Sequence, residues 1–225
     1  LESGQIDFGG NTLELGATKR AGGLFGRLDV TNGDVTVQGG IYKSKLSEGT
    51  DNNSGDTKNR GSYGGLVGNV YATEKAAGNG LRAFSVGATT GDNPVTVEFE
   101  LASALCYAGG IAGYVGDKSK GVQPVAIVLN GASISCKGAA SALNDNGRFG
   151  SAAGVLDMYD VLDIRNLTVS SDNSIGGSSQ ARSGGIVGSA WIATIKFSGV
   201  TDLTNAKFAD NDTTGQLVYE NYNSL

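Results

Sequence analysis

Residues 63–72 read YGGLVGNVYA, and nearly the same phrase returns four more times: AGGLFGRLDV from Ala21, AGGIAGYVGD from Ala108, FGSAAGVLDM from Phe149 and SGGIVGSAWI from Ser183. A phrase repeated at intervals is a structural unit, and repeats constrain a fold more strongly than local propensity does. With the last glycine of each phrase as marker, the units fall at Gly26, Gly68, Gly113, Gly154 and Gly188, separated by 42, 45, 41 and 34 residues. GGLVG lacks the spacing of a dinucleotide or P-loop fingerprint and no helical pattern follows it. Its recurrence in every unit favours an architectural role for these glycines.

Further runs lie between the phrases: DVTVQ from Asp34, PVTVEFEL from Pro94, PVAIVLN from Pro124, VLDIRNLTV from Val161 and ATIKFSGV from Ala193, with a shorter ASISCKG from Ala132. They are rich in Val, Ile, Thr and Phe, alternate with period two, and are bounded by Gly, Asn, Asp and Ser, which is strand chemistry. No segment carries a capped apolar stripe of helical period. The expectation is an all-β chain, a single domain over residues 1–225, folded as a right-handed parallel β-helix of five to six coils.

In such a solenoid equivalent residues stack at about 4.8 Å, so they form ladders. Read as one strand, the phrase places Leu24, Leu66, Ile111, Ala152 and Ile186 inside, with Leu28, Val70, Val115, Leu156 and Ala190 further along the same face. The marker glycines lie between them, where a missing Cβ admits close approach of neighbouring chain. The opposite face carries Phe25, Val67, Ala112, Ala153 and Val187, too apolar for solvent, and the long insertions are expected to cover it. These insertions, residues 43–62, 137–148 and 170–183, each precede a phrase and should leave the solenoid at one corner. Residues 1–20 are expected to supply an N-terminal cap and 215–225 a partial terminal coil. Ends left open would favour end-to-end self-association.

Composition bounds the function. With 39% hydrophobic residues, 37 Gly and only 2 Pro, the chain has core-forming content and no collagen-like or Pro-rich character. Net charge is −5 and the 17 Lys and Arg are scattered, which argues against a nucleic-acid partner. No apolar run approaches the roughly 20 residues of a membrane span. Histidine is absent, which removes His-based acid–base chemistry, His-dependent nucleophile systems and the commonest zinc sites. The chain opens at Leu1 without Met, as expected of a piece processed from something longer.

Candidate chemistry concentrates in LDMYDVLDIR, which holds Asp157, Asp160, Asp163 and Arg165. Carboxylates beside a basic group on an exposed strand face could bind calcium or cleave polysaccharide by acid–base catalysis. Asp157 and Asp160 also flank a turn, where Asp serves local hydrogen bonding. Cys106 and Cys136 could close a 30-residue disulfide loop, worth roughly 3–4 kcal/mol in the chain-entropy picture, or remain two buried thiols. Tyr42, Tyr63, Tyr71, Tyr107, Tyr114, Tyr159 and Trp191 could stack on sugars or pack beneath the insertions. A Thr array able to order water is not supported, because the outward ladder reads Thr36, Thr96, Ala126, Asp163 and Thr194. Asn52, Asn166 and Asn211 open glycosylation sequons.

The GGLVG, GGIAG and GGIVG phrases resemble the glycine-rich repeats of large bacterial surface proteins, both the GLUG-type repeats of adhesins and the GGA[IL]-type repeats of polymorphic outer-membrane autotransporters. FADN at 208–211 is similar to the FxxN element of the latter, and the resemblance runs as a pattern over about Ala21 to Tyr219. It implies an extracellular or cell-surface, adhesin-like protein. A non-catalytic role without cofactor is expected, because the recurring residues are core-forming and the charged ones are not assembled at a repeated spacing; the expected partner is a glycan or protein of a host or neighbouring cell. The alternative class is a β-helix polysaccharide lyase or glycoside hydrolase, with calcium as its one expected ion.

Overall fold

The structure, a computed structural model, describes residues 5–7, 13–14, 20–30, 34–47, 61–71, 82–87, 94–103, 106–116, 125–138, 147–157, 160–170, 182–191, 193–199 and 201–205. Among them there is no helix, and every strand pairing is parallel. Two short strands open the chain, β1 (Gln5–Asp7) and β2 (Leu13–Glu14). The first coil follows as β3 (Arg20–Gly22), β4 (Phe25–Asp29), β5 (Val35–Val37) and β6 (Gly40–Ser47). The second is β7 (Gly61–Gly64), β8 (Val67–Tyr71), β9 (Arg82–Val86) and β10 (Val95–Ser103). The third is β11 (Cys106–Gly109), β12 (Ala112–Val115) and β13 (Val125–Gly138), and the fourth β14 (Arg148–Gly150), β15 (Ala153–Leu156) and β16 (Val161–Ser170). The fifth is β17 (Arg182–Gly184), β18 (Val187–Ala190), β19 (Thr194–Phe197) and β20 (Thr201–Asn205).

Each coil visits three sheets in the same order, the arrangement of a parallel β-solenoid. Sheet B is β3-β7-β11-β14-β17, sheet C is β4-β8-β12-β15-β18, and the broad sheet A takes the remaining strands. Every coil crosses sheet A in two segments, seen separately as β5 and β6 and fused in β13 and β16. At the junction of the segments Gly131 has φ +78, a region where an L side chain is strained. The insertions are shorter than expected, since 43–47, 61–62, 137–138, 148, 170 and 182–183 belong to strands; what remains, 48–60, 139–146 and 171–181, lies in each case between a sheet A strand and a sheet B strand, one corner as expected, and its own structure, like residues 215–225, lies outside the described residues.

The phrase itself departs from the single strand expected of it. It is two strands of two sheets, with the chain turning at the second glycine and the residue after it, as at Gly65–Leu66 and Gly110–Ile111. The turn is still hydrogen-bonded from coil to coil: the Ile111 carbonyl accepts from the N–H of Leu66 at 3.3 Å and of Val67 at 2.9 Å, and the Ala152 carbonyl accepts from Ile111 at 3.1 Å and Ala112 at 3.0 Å. A turn with satisfied main-chain groups can be buried, which an open loop cannot. Leu66, Ile111, Ala152 and Ile186 at the turn are buried, as are Val70, Val115 and Leu156. Leu24, Leu28 and Ala190, in the first and last coils, are only partly so. On the opposite face Val67, Ala112, Ala153 and Val187 are buried while Phe25 is 38% exposed.

The marker glycines show why the phrase needs them. A Cβ on Gly154 would lie 2.6 Å from the Ala108 nitrogen and 2.6 Å from the Gly113 oxygen, and one on Gly68 would lie 2.6 Å from the Ala21 nitrogen. From the second coil on, each marker therefore rests on the sheet B main chain of the coil before it, while Gly26 lies against Arg20 of its own coil. The obstructing atoms are backbone on both sides, so little can give way. Gly65 and Gly110 bring the turn against sheet A, where a Cβ on Gly110 would lie 3.2 Å from Cys136 Sγ. The core beneath is formed by alternate residues of the long strands, including Val97, Phe99, Ile127, Leu129, Ile134 and Ile164, all nearly fully buried.

The register also corrects the outward ladder of sheet A. Thr36 stacks with Ser85, Val128, Asp163 and Lys196, whereas Thr96 belongs to the second half of the sheet, beside Ile41, Ser133, Thr168 and Asp202. The partner of DVTVQ in the second coil is RAFSV (82–86), which residues 72–81 set apart from its phrase. Lys43–Glu98 at 3.4 Å and Lys45–Glu100 at 2.6 Å pair across the first two coils on this face.

Two glycine substitutions should separate the two constraints. Gly154→Ala forces a Cβ into main chain and should lower unfolding free energy by about 3 kcal/mol. Gly131 has nothing within 4 Å of a Cβ, so Gly131→Ala should cost only about 1–2 kcal/mol for its positive φ. Denaturant titrations of the two variants check the order.

Candidate functional site

The acidic segment singled out in the sequence sits where sheet C hands the chain to sheet A. β15 ends at Leu156, and the Asp157 N–H donates to the Val115 carbonyl of the previous coil at 3.0 Å. The chain then turns, closed by the Asp160 N–H donating to the Asp157 carbonyl at 3.3 Å, and β16 begins. The expected turn at Asp157 and Asp160 is present.

Both side chains point away from water: Asp157 is 2% and Asp160 1% exposed. Each is held from the third coil. The Tyr114 hydroxyl donates to Asp157 Oδ2 at 2.6 Å, and the Val125 N–H donates to Asp160 Oδ1 at 2.8 Å. Gly116, with φ +89, covers the pair, and a Cβ there would fall 2.5 Å from Asp160 Oδ2 and 2.8 Å from Asp157 Cβ. Asn69, in the second coil, reaches the same glycine through Nδ2 to the Gly116 carbonyl at 3.4 Å. Burial pushes the Asp160 carboxyl up to about 8; the Asp157 charge adds to the rise, while main-chain hydrogen bonds from Val125 and Asp157 oppose it.

Asp163 and Arg165 stand elsewhere. They occupy the outer face of sheet A, two residues apart on one strand, with Arg165 Nη2 3.2 Å from Asp163 Oδ2. In register, Asp163 has Lys196 of the last coil beside it. The four residues grouped in the sequence are thus two pairs in two environments, one buried at a corner and one half-exposed on a sheet face. Among the described residues, no group of three or more Asp, Glu, Cys or His side chains is placed to hold a metal ion.

The other candidates are placed as follows. Cys136 carries a buried thiol in β13, and burial raises it above the ordinary thiol range; Cys106 begins β11, its side chain outside the described residues. Tyr42 and Tyr63 are core residues, the Tyr42 hydroxyl donating to the Gly39 carbonyl at 2.9 Å. Tyr71 is buried with the Arg27 guanidinium 4.1 Å from its ring centre. Tyr107 and Tyr114 are half-buried with ring centroids 5.3 Å apart, and Trp191 is half-buried. Tyr159, Asn52, Asn211 and the FADN stretch lie outside the described residues, while Asn166 is exposed, its Nδ2 donating to Asn130 Oδ1 at 3.3 Å.

Sequence reasoning missed Tyr114, Gly116 and Asn69 as parts of this corner. The repeat contained the signal: aligning the marker glycines stacks Asn69, Tyr114 and Val155 in one row and sets Asp157 beside Gly116. Tyr114→Phe should cost about 1–3 kcal/mol by removing a donor from a buried carboxylate, whereas Asp163→Asn should change stability by less than about 0.5 kcal/mol. Urea midpoints of both variants against the parent test this contrast.

No helix among the described residues is long and apolar enough to cross a membrane. In comparisons with family models, curated proteins and solved structures, nothing matches this chain.

Proposed function

We propose that this chain is a non-catalytic segment of a secreted or cell-surface protein, a β-solenoid stalk whose inserted segments contact a glycan or protein of another cell. The supporting observation is what the recurring residues do. At each coil they serve main-chain packing and core formation, and the carboxylates that an enzyme would need are divided between a buried corner and an ion pair. A surface that is unique at each coil and a core that repeats is the division expected of a spacer that carries variable binding segments. The likeness of its phrases to surface-protein repeats supports the same location. Fold alone does not choose between binding and catalysis.

One observation favours the hydrolytic or lyase alternative: a carboxyl held protonated near neutrality is what an acid catalyst requires. Its burial weighs against that role, since a catalytic acid must reach substrate. A glycan-array screen and a polysaccharide-degradation screen, run side by side with and without calcium, test the proposal. Binding without product, lost when residues 48–60 are replaced by a short linker, is the expected result. Release of reducing ends or unsaturated sugars, abolished by Asp160→Ala or Asp163→Ala, would replace the stalk by an enzyme.

A further inference from the structure

The corner between the third and fourth coils contains two carboxyl groups that the proposed binding role does not use. They belong to residues one and four of the same turn, are nearly inaccessible to water, and a Cβ on Gly116 would meet Asp160 Oδ2 and Asp157 Cβ. Among the described residues, each element packed there contributes identifiable groups. β12 brings the Tyr114 hydroxyl to Asp157, and β13 brings the Val125 N–H to Asp160 Oδ1. The last coil adds the Thr194 N–H, which donates to the Asp160 carbonyl at 2.9 Å, and the second coil adds the Asn69 amide at Gly116. Among the described residues Tyr114 is thus the titratable group facing the pair in these contacts; the nearest ionic side chains along β16, Asp163 and Arg165, pair with each other on the outer face. Asp160 Oδ2 is buried and, as a carboxylate oxygen, has no hydrogen-bond donor.

We propose that Asp160 holds a proton in this corner and so forms an alkali-sensitive latch between the third and fourth coils. Two carboxylates at one buried point cannot both ionise without strong repulsion, and a buried charge lacking compensation takes up a proton instead. With the proton on Asp160, the corner is spared a second buried charge, while Asp157 Oδ2 stays held by Tyr114. The latch then joins Tyr114 and Val125 of one coil to the turn of the next through a continuous set of hydrogen bonds.

The sign follows from linkage. Asp160 in the folded chain titrates well above an unfolded Asp, so the stability it confers is complete below the unfolded carboxyl range and is lost as pH rises through about 8. Past that point the corner carries two like charges and the junction weakens.

Thermal unfolding of the parent and Asp160→Asn, from about pH 6 to about pH 9 in a chelator, tests the latch, because Asn can accept from Val125 and stays neutral at any of these values. The melting temperature of the variant relative to the parent should rise by about 3 °C or more across this range. Two measurements on the parent alone keep the test open if the variant fails to fold. Its infrared spectrum near neutrality should contain a protonated-carboxyl band that disappears on titration, and the protection factor of the Val125 amide should fall as that band is lost. Parallel pH profiles for parent and variant, or absence of the band, would overturn the proposal. So would a parent whose melting temperature drops on chelation and is restored by calcium, which would assign the same oxygens to a cation.

Discussion

From the second coil on, the marker glycine lies on the main chain of the coil before it, and the rest of the structure depends on that contact. It allows sheets B and C to meet at a turn with no side chain between them, and it fixes the axial register, because a glycine displaced by one position would present a side chain to backbone. The turn then faces sheet A, against Val97 in one coil and Ile134 and Cys136 in the next, so the long strands cover it with a dry core. Close approach of main chain is possible here because the turn carbonyls accept two N–H groups each, leaving little polar surface unsatisfied in the interior.

Charge plays a lesser part in holding the solenoid together. The Lys43–Glu98 and Lys45–Glu100 pairs are half-exposed on a sheet face, where such pairs contribute within about 1 kcal/mol and are screened by salt. The buried carboxyls are different in kind. Asp160 replaces a main-chain acceptor for Val125 at the start of a strand, and Asp157 is anchored by a phenol. Their energetic weight lies in leaving no donor unmet at the corner, and in the cost incurred if a partner is removed.

This division bears on function. A binding stalk needs a core that tolerates variation outside it, and here three insertions depart from one corner, between sheets A and B, without interrupting the parallel ladders. The acidic pair occupies a different corner, between sheets C and A, and braces three successive coils. In the proposed role, changes within those three insertions would fall at a different corner from the acidic pair.

The all-β class, the five phrase-bearing coils and the identity of most interior residues were legible in the sequence, because they follow from period-two runs and from a phrase that repeats. The marker glycines were legible for the same reason: a residue without a side chain at one position of every unit implies close approach. The bend within GGLVG was not, since a period-two pattern is preserved when a strand turns a corner at glycine, and alternation alone does not distinguish one strand from two. The second-coil partner of DVTVQ was hidden by residues 72–81, which separate RAFSV from its phrase, so PVTVEFEL was aligned with the wrong half of sheet A. The grouping of Asp157, Asp160, Asp163 and Arg165 reflected proximity along the chain. The tertiary structure alone divides them, because the turn after Leu156 directs the first two against Gly116 of the neighbouring coil, while the pleat of β16 directs Asp163 and Arg165 to the outer face.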